Sequence, residues 1–314
     1  MSYNSTPTFS ANKFIIVFLF LLFIVQHSYA QVSAERLKND VLKLTGTSQP
    51  RNYKNTAALN EAAAYIQSVF AESTATIEEQ KYLVNGNEYK NIIASFGPDD
   101  GKRIIIGAHY DVCGNQPGAD DNASGVAGLL ELSRLFKNQN LKYRIDLVAY
   151  TLEEPPFFRT KEMGSYVHAK SMFDNNVKLK GMICLDMIGY YSDIPNSQSF
   201  PLGIMKLFYP TTANFITVVD KMACNRFGKK IKRSMKKNCI VKVKSIRAPR
   251  FIKGIDYSDH LNYWNFGYKA IMISNTAFYR TKLYHTPGDL PETLDYDKMT
   301  AVINGLFYSV LKIN

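Results

Sequence analysis

The sequence has few cysteines, only four among 314 residues, and none of them forms a Cys-x-x-Cys or Cys/His knuckle pattern. This absence excludes metal sites built from clustered thiolates. Internal repeats and low-complexity linkers are also absent, which favours a single domain. Charged residues make up 21% and hydrophobic residues 46% of the chain. That composition is typical of a globular protein and excludes disorder and collagen-like structure.

Long hydrophobic runs are missing as well, apart from the twelve apolar residues of Phe14–Val25. A membrane-spanning helix needs about 20 apolar residues, so this run is short for a bilayer span. Lys13 precedes it, and the small residues Ser28 and Ala30 follow it. These features predict a secretory signal peptide over residues 1–30, with an uncleaved anchor as the alternative. We therefore expect a secreted or periplasmic protein that begins near Gln31 and has no stable membrane span.

The cysteines are even in number, which permits pairing in an oxidising compartment. Cys224 and Cys239 lie fifteen residues apart in one segment and are the favoured pair. Cys184 lies in an apolar run and is expected to be a buried free thiol.

Acidic residues are absent between Arg226 and Lys253, where twelve lysines and arginines occur. This segment accounts for the whole basic surplus, since the chain has 38 Lys and Arg against 27 Asp and Glu. We interpret it as a basic insertion that forms a solvated face or loop; an alternative is that it attracts an anionic substrate end. Only Phe227 and Phe251 could stack on bases there, so nucleic-acid binding is not expected.

Short apolar runs alternate with stretches of helical period from residue 31 to residue 314. This alternation predicts one α/β domain with a mostly parallel, twisted β-sheet flanked by helices on both faces. An Asn-Gly pair within 82–96 predicts a hairpin. Buried strands are predicted at 104–106, 145–150, 182–188 and 270–273. Helices are predicted at 34–45, 55–72, 126–136, 165–173, 211–226 and 297–311.

Potential metal ligands follow four of the predicted strands. His109 follows the first strand, Glu153 and Glu154 the second, Asp186 the third, and His285 the last strand and its loop. An acidic turn with Asp120 and Asp121 opens the helix at 126–136. Because the carboxyl ends of parallel strands share one sheet edge, these donors are expected to meet. Carboxylates and imidazoles together predict a two-metal hydrolytic site.

These segments resemble the zinc-dependent exopeptidases of peptidase family M28, which include bacterial leucyl aminopeptidases, aminopeptidase Y, glutamate carboxypeptidase II and the glutaminyl cyclases. The resemblance covers most of residues 31–314 and implies the zinc exopeptidase fold. The segments that carry it are His109-Tyr110-Asp111, Gly118–Gly125, Glu153-Glu154, Gly164-Ser165, Asp186, Ser258-Asp259-His260, Asn275–Arg280 and Tyr284–Pro287.

The resemblance implies two zinc ions bridged by Asp121. His109 and Asp186 would complete one ion, and Glu154 and His285 the other. Glu153 would be the general base, and Asp111 would orient His109. Peptides would be the substrates, and hydrolysis would start from the amino end.

The length of one segment leaves the substrate preference open. Residues Pro155–Met163 form a longer segment than short aminopeptidases carry, and it would reshape the rim of the cleft.

A glutaminyl cyclase on the same fold is the main alternative, although cyclases of this family typically carry Trp where this chain has Tyr284. The single tryptophan is Trp264. A carboxypeptidase for acidic carboxyl ends, with only the basic run in its favour, and a binding module without metal are weaker alternatives. The sequence leaves the oligomeric state open.

Overall fold

A central β-sheet positions the candidate ligands. The computed structural model describes residues 1–2, 31–74, 76–222 and 225–314. Val32–Asn314 forms one compact unit. Nearly all of the predicted signal peptide lies outside the described residues. Cys224 lies outside them too, so the predicted pairing with Cys239 stays a prediction. Within the described ranges, no helix has the length and apolarity that a membrane span requires.

Eight strands form one sheet in the order β1-β2-β4-β3-β5-β8-β6-β7. The four central strands, β4, β3, β5 and β8, are parallel to one another. The strands are β1 Ile77–Val84, β2 Asn87–Phe96, β3 Arg103–His109, β4 Arg144–Tyr150, β5 Leu179–Leu185, β6 Phe215–Lys221, β7 Lys242–Ala248 and β8 Ala270–Ser274. The predicted α/β class is confirmed, and the central strands match the predicted parallel runs.

The sheet is mixed at its two sides. Asn85 and Gly86 form the turn of the predicted hairpin between β1 and β2, and β2 is antiparallel to β4. On the other side, β6 is antiparallel to β8 and parallel to the edge strand β7. The expectation of a mostly parallel sheet therefore holds for the centre, while three of the seven strand pairs are antiparallel.

Helices cover both faces of the sheet. The helices are α1 Ala34–Thr45, α2 Thr56–Ala71, α3 Gly125–Phe136, α4 Gly164–Asp174, α5 Arg226–Asn238, α6 His260–Asn265 and α7 Tyr296–Ile313. Successive side chains of β3 lie on opposite faces of the sheet, and both faces are buried. Ile104 and Ile106 join the core with α1, α2, α3, α5 and α7, whereas Ile105 joins the core with α4 and α6.

The predicted helix at 211–226 is wrong, because Phe215–Lys221 is strand β6. Its central residues Ile216, Thr217, Val218 and Val219 are all β-branched, and such side chains pack well on a pleated sheet.

The basic segment 226–253 is regular structure rather than an inserted loop. Its first part is α5, in which Ile231 and Met235 are buried while the lysines lie on the outer side. Its second part contains the edge strand β7. The prediction of a solvated basic face is consistent with this arrangement, and the interpretation of the segment as an insertion stays a prediction.

Candidate metal centre

The predicted ligands meet at the carboxyl edge of the central strands. His109 is the last residue of β3, and Asp186 directly follows β5. Glu153 and Glu154 lie on the loop that leaves β4, and Asp121 lies on the turn Ala119–Ser124 that precedes α3. These five side chains line one cleft. The parallel register of β4, β3 and β5 brings the strand ends together, as expected for a site at this sheet edge.

Asp121 lies between the two histidines of the site. Its Oδ1 is 3.4 Å from His109 Nε2, and its Oδ2 is 3.1 Å from His285 Nε2. Glu154 Oε2 is 3.2 Å from the same His285 nitrogen. Donor atoms of His109, Asp121 and Glu154 all lie within 4.8 Å of one another. The two oxygens of one carboxylate thus face two different imidazoles, which is the arrangement that a carboxylate bridging two cations requires.

The four carboxylates of the cleft are crowded and buried, since none is more than 7% exposed: Asp121, Glu153, Glu154 and Asp186. Burial raises the pKa of Glu154 to about 7, and the charge of Asp121 adds to this effect. Burial also raises the pKa of Asp186 to about 6. The pKa of Glu153 is raised well above its ordinary value, again mainly by burial. Buried anions at this density call for a compensating cation.

The histidines respond to the same negative charge. Burial would lower the pKa of His285, but the carboxylates of Asp121 and Glu154 raise it to about 10. Burial would likewise lower the pKa of His109, yet Glu153, Asp111 and Asp121 raise it well above the ordinary value. Protons on these imidazoles occupy the positions that a bound metal ion would take.

One buried carboxylate oxygen has no partner that would compete with a metal ion. Glu154 Oε1 lacks a hydrogen-bond partner among the described residues, and the neighbours of His285 Nε2 at 3.1 and 3.2 Å are carboxylate oxygens of Asp121 and Glu154. Neutral imidazoles and carboxylate oxygens are the ligands of catalytic zinc, so the residues present fit such an ion. His109 Nδ1 lies 3.2 Å from the backbone oxygen of Asp111, and this contact leaves Nε2 free to bind metal.

Asp111 has a contact set that the sequence did not predict. Its carboxylate accepts hydrogen bonds from the backbone amides of Glu153 and Glu154, each at 3.1 Å. Its Oδ1 is 3.6 Å from His109 Nδ1, which is farther than its own backbone oxygen. Asp111 is therefore a positioning residue for the two glutamates as well as a neighbour of His109.

Asp289 is a second positioning residue, and no sequence pattern indicated it. Its two oxygens accept the backbone amides of Asp120 and Asp121 at 2.7 and 3.0 Å. Asp289 is 2% exposed. It thus fixes the bridging residue in the same way that Asp111 fixes the glutamates. Its position four residues after His285 carries no chemical signal of this role.

Asp120 also supports the site rather than joining it. One of its oxygens accepts the backbone amide of Gly189 at 2.7 Å, and the other accepts Asn275 Nδ2 at 2.7 Å. Asp120 therefore stabilises the turn that carries Asp121. The turn itself depends on Gly118 at φ 62°, where a Cβ atom would lie 2.4 Å from the backbone oxygen of Asp121. That clash restricts the position to glycine.

Three residues of the site have left-handed backbone conformations. These are Leu152 before the glutamate pair (φ 59°), Met187 after Asp186 (φ 52°) and His285 itself (φ 56°). Such conformations cost about 1 to 3 kcal/mol each for non-glycine residues and cluster at functional sites. The backbone strain supports a site selected for ligand geometry.

The cleft beyond the acidic edge has mostly apolar walls. Tyr284 lines it and stacks on His285, with ring centroids 3.7 Å apart. Tyr279 also lines the cleft, whereas Arg280 is buried and donates to the backbone oxygen of Phe215 at 2.7 Å. Of these two neighbouring residues, only Tyr279 therefore reaches the cleft.

Two other features singled out in the sequence lie behind the cleft. His260 is buried, and its Nε2 lies 2.8 Å from the backbone oxygen of Ile255, so its contact is structural. The Pro155–Met163 segment supports the cleft wall, because Phe158 packs edge-on against Tyr257 with ring centroids 5.8 Å apart. Tyr257 in turn lines the cleft.

Known protein sequences match most of this chain. The profile of peptidase family M28 matches residues 91–310. The uncharacterized protein YfbL of Escherichia coli (strain K12) is 46% identical over 93% of this chain and 95% of its own length. Leucine aminopeptidase 1 of Ajellomyces capsulatus (strain NAm1 / WU24) is 27% identical over 86% of this chain and 68% of its own.

Solved structures show the same fold. LapB of Legionella pneumophila superposes with a TM-score of 0.68 at 21% identity, covering 96% of this chain and 80% of its own. A glutaminyl cyclase of Bacteroides thetaiotaomicron superposes with a TM-score of 0.66 at 21% identity, covering 91% and 100%. At this identity the likeness concerns the fold, which serves more than one chemistry.

Proposed function

Since this chain belongs to peptidase family M28, we propose that it is a zinc aminopeptidase that removes single residues from the amino ends of peptides. The observation that carries this proposal is the division of the two Asp121 oxygens between His109 and His285. A further observation is a complete donor set around it. Asp186 would join His109 at one ion, and Glu154 would join His285 at the other.

The metal that these residues would hold would supply a water molecule of lowered pKa and a positive charge to stabilise the developing oxyanion. The remaining chemistry belongs to the chain. Glu153 takes the proton of the attacking water and delivers it to the leaving amine. The support for this role is its position, since its Oε2 is 4.0 Å from His109 Nε2 and its backbone amide is held by Asp111.

The apolar cleft contributes binding and excludes water from the reacting groups. Its walls include Phe200, Tyr209 and Phe278. An apolar or aromatic side chain of a substrate would displace water there and gain about 25 cal/mol for each Å² of apolar surface buried. This supports cleavage of peptides with a large apolar first residue.

A glutaminyl cyclase is the second candidate, and the solved cyclase structure is the reason to retain it. Tyr284 argues against it, since the family resemblance associates tryptophan at this position with cyclases. Cyclisation also requires the amino end of the substrate to attack its own side chain. It releases ammonia and leaves every peptide bond intact.

Export from the cytoplasm is part of the proposal. Its support is the sequence of the first 30 residues, with Lys13, the apolar run Phe14–Val25 and the small residues Ser28 and Ala30. Analysis of the amino terminus of the protein recovered from cells tests it. A start near Gln31 is expected, and an intact Met1 in the mature protein would contradict it.

Peptide products identified by mass spectrometry test the activity. The zinc-loaded protein would be incubated with three matched peptides: one unblocked, one amino-acetylated, and one with an amino-terminal glutamine. We expect single residues to be lost from the unblocked peptide only, with loss of activity in chelator and recovery with zinc. Loss of ammonia from the glutaminyl peptide without cleavage would instead identify a cyclase. Trimming from the carboxyl end would contradict both assignments.

A further inference from the structure

A cysteine lies beside the metal centre although no cysteine pattern predicted it. Ligand atoms of Cys113, Glu154 and His285 all lie within 4.8 Å of one another. Cys113 lies on the loop between β3 and the turn that holds Asp121, four residues after His109. The same loop is fixed to the site at Gln116, whose Nε2 donates to the backbone oxygen of His285 at 2.8 Å. The thiol is therefore held near two of the predicted ligands.

We propose that Cys113 is a thiolate ligand of the metal ion that Glu154 and His285 hold. The inference rests on the metal centre of the proposed function and adds a ligand to it. The absence of Cys-x-x-Cys patterns excludes clusters of thiolates but does not exclude one thiolate among oxygen and nitrogen ligands. A sequence scan for paired cysteines has no means of finding such a residue.

The three ligand atoms are close enough to bind one ion after small adjustments. Zinc binds sulfur at about 2.3 Å and imidazole nitrogen at about 2.0 Å. Ligand atoms of a tetrahedral ion are then roughly 3.5 Å apart, a spacing that lies within the 4.8 Å limit that the three atoms satisfy. Small side-chain rotations would close the shell around an ion.

The neighbouring atoms point to the same ligand position. Glu154 Oε1 has no hydrogen-bond partner among the described residues, and Glu154 is 4% exposed. Buried polar atoms without partners are costly and call for a ligand. An unpartnered carboxylate oxygen, an imidazole and a thiol in one small volume fit a cation better than a hydrogen-bond network.

The binding step involves proton release and no redox change. The Cys113 S–H bond breaks, its proton passes to solvent, and the sulfur–metal bond takes the place of one water ligand. The thiolate neutralises more of the metal charge than water does. A soft ligand also favours zinc, cobalt or cadmium over magnesium and manganese. The centre would therefore select thiophilic metals.

The chain offers matched controls for this cysteine. Cys184 is buried, with its Sγ 3.0 Å from Ser258 Oγ. Cys239 packs beside Gly305 of α7, where a Cβ atom on the glycine would lie 2.6 Å from its Cβ. Cys239→Ser therefore removes a cysteine sulfur, free or paired, without touching the predicted ligands.

X-ray absorption at the zinc edge of the full zinc-loaded chain tests the proposal directly. We expect a sulfur scatterer at about 2.3 Å from zinc in the unaltered protein and in Cys239→Ser. We expect its loss in Cys113→Ser, together with loss of the thiolate-to-cobalt charge-transfer band after cobalt substitution.

A zinc-loaded, active protein whose spectrum contains only nitrogen and oxygen scatterers would overturn the thiolate ligand while leaving the proposed function intact. A sulfur signal that survives in Cys113→Ser would overturn it as well. A protein that binds no zinc would remove both this proposal and the metal centre on which it rests. The test needs no variant to fold, since the unaltered protein already gives the decisive spectrum.

Discussion

Replacing Asp111 by asparagine tests whether the glutamate pair owes its position to one buried carboxylate. In the structure the two oxygens of Asp111 accept the amides of Glu153 and Glu154, each at 3.1 Å. Asparagine has almost the same shape but only one carbonyl oxygen. Its amide group would therefore face one of the two backbone amides, donor against donor.

The size of the effect follows from those two hydrogen bonds. A buried donor left without a partner costs about 1 to 3 kcal/mol. Because each 1.4 kcal/mol is a factor of ten, displacement of one glutamate should lower zinc affinity or kcat/KM roughly tenfold to hundredfold. Loss of a supporting group behind a metal ligand generally has an effect of about 10- to 100-fold, which agrees with this range.

The assay combines zinc affinity, measured by competition with a chelator, with kcat/KM on an unblocked peptide. Asp146→Asn is a matched control. Asp146 is 1% exposed and accepts Ser95 Oγ at 2.7 Å, but it lies near the other end of β4. The control should lose stability while zinc affinity is unchanged. If Asp111→Asn kept both zinc affinity and kcat/KM within twofold of the unaltered protein, the positioning role would be refuted.

Glu153→Gln should keep zinc bound while lowering kcat by about 10²- to 10⁴-fold, as expected for loss of a general base; near-normal kcat with full zinc content would show that another group takes the proton. Burial lowers the pKa of His168 to about 4, so its neutral form contributes stability that is lost as the pH falls from about 6.5 to about 4. Between pH 6.5 and about 4, the free energy of unfolding, measured in urea, should therefore fall by about 3 kcal/mol less in His168→Gln than in the unaltered protein. A difference between the two proteins that does not change with pH would contradict this. Gly107→Ala should destabilise the fold by about 1 to 3 kcal/mol, because the new Cβ would lie 2.2 Å from Tyr150 Cε2; an unchanged melting temperature would disprove that contact.

The centre of the fold was predictable because its strands are continuous apolar runs. Ile104, Ile105 and Ile106 are all fully buried, as a parallel strand covered on both faces must be. The strand β6 was not predictable in this way. The mostly apolar run at residues 215–221 is as long as a strand but could also be part of a helix. Tertiary context decides which of the two forms. The antiparallel pairing of β6 with β8 had no local signal either.

The site followed from chemistry more readily than from secondary structure. Histidines and carboxylates after successive strands are expected to meet, and the distances around Asp121 agree with that expectation. The assignment of each ligand to one of two ions stays a prediction. The roles of Asp289 and Cys113 could not be read from the sequence, for different reasons. The role of Asp289 consists of accepting hydrogen bonds from backbone amides. The role of Cys113 depends on the conformation of its loop, which brings the thiol close to His285.

Diffraction from zinc-soaked crystals, recorded at the zinc absorption edge, shows whether Asp121 bridges two metal ions. We predict two anomalous peaks, one on each side of the Asp121 carboxylate, with His109 at one and His285 at the other. Two peaks there would establish the bridging role on which the proposed hydrolysis depends. A single peak, or none in a protein that still cleaves peptides, would contradict it.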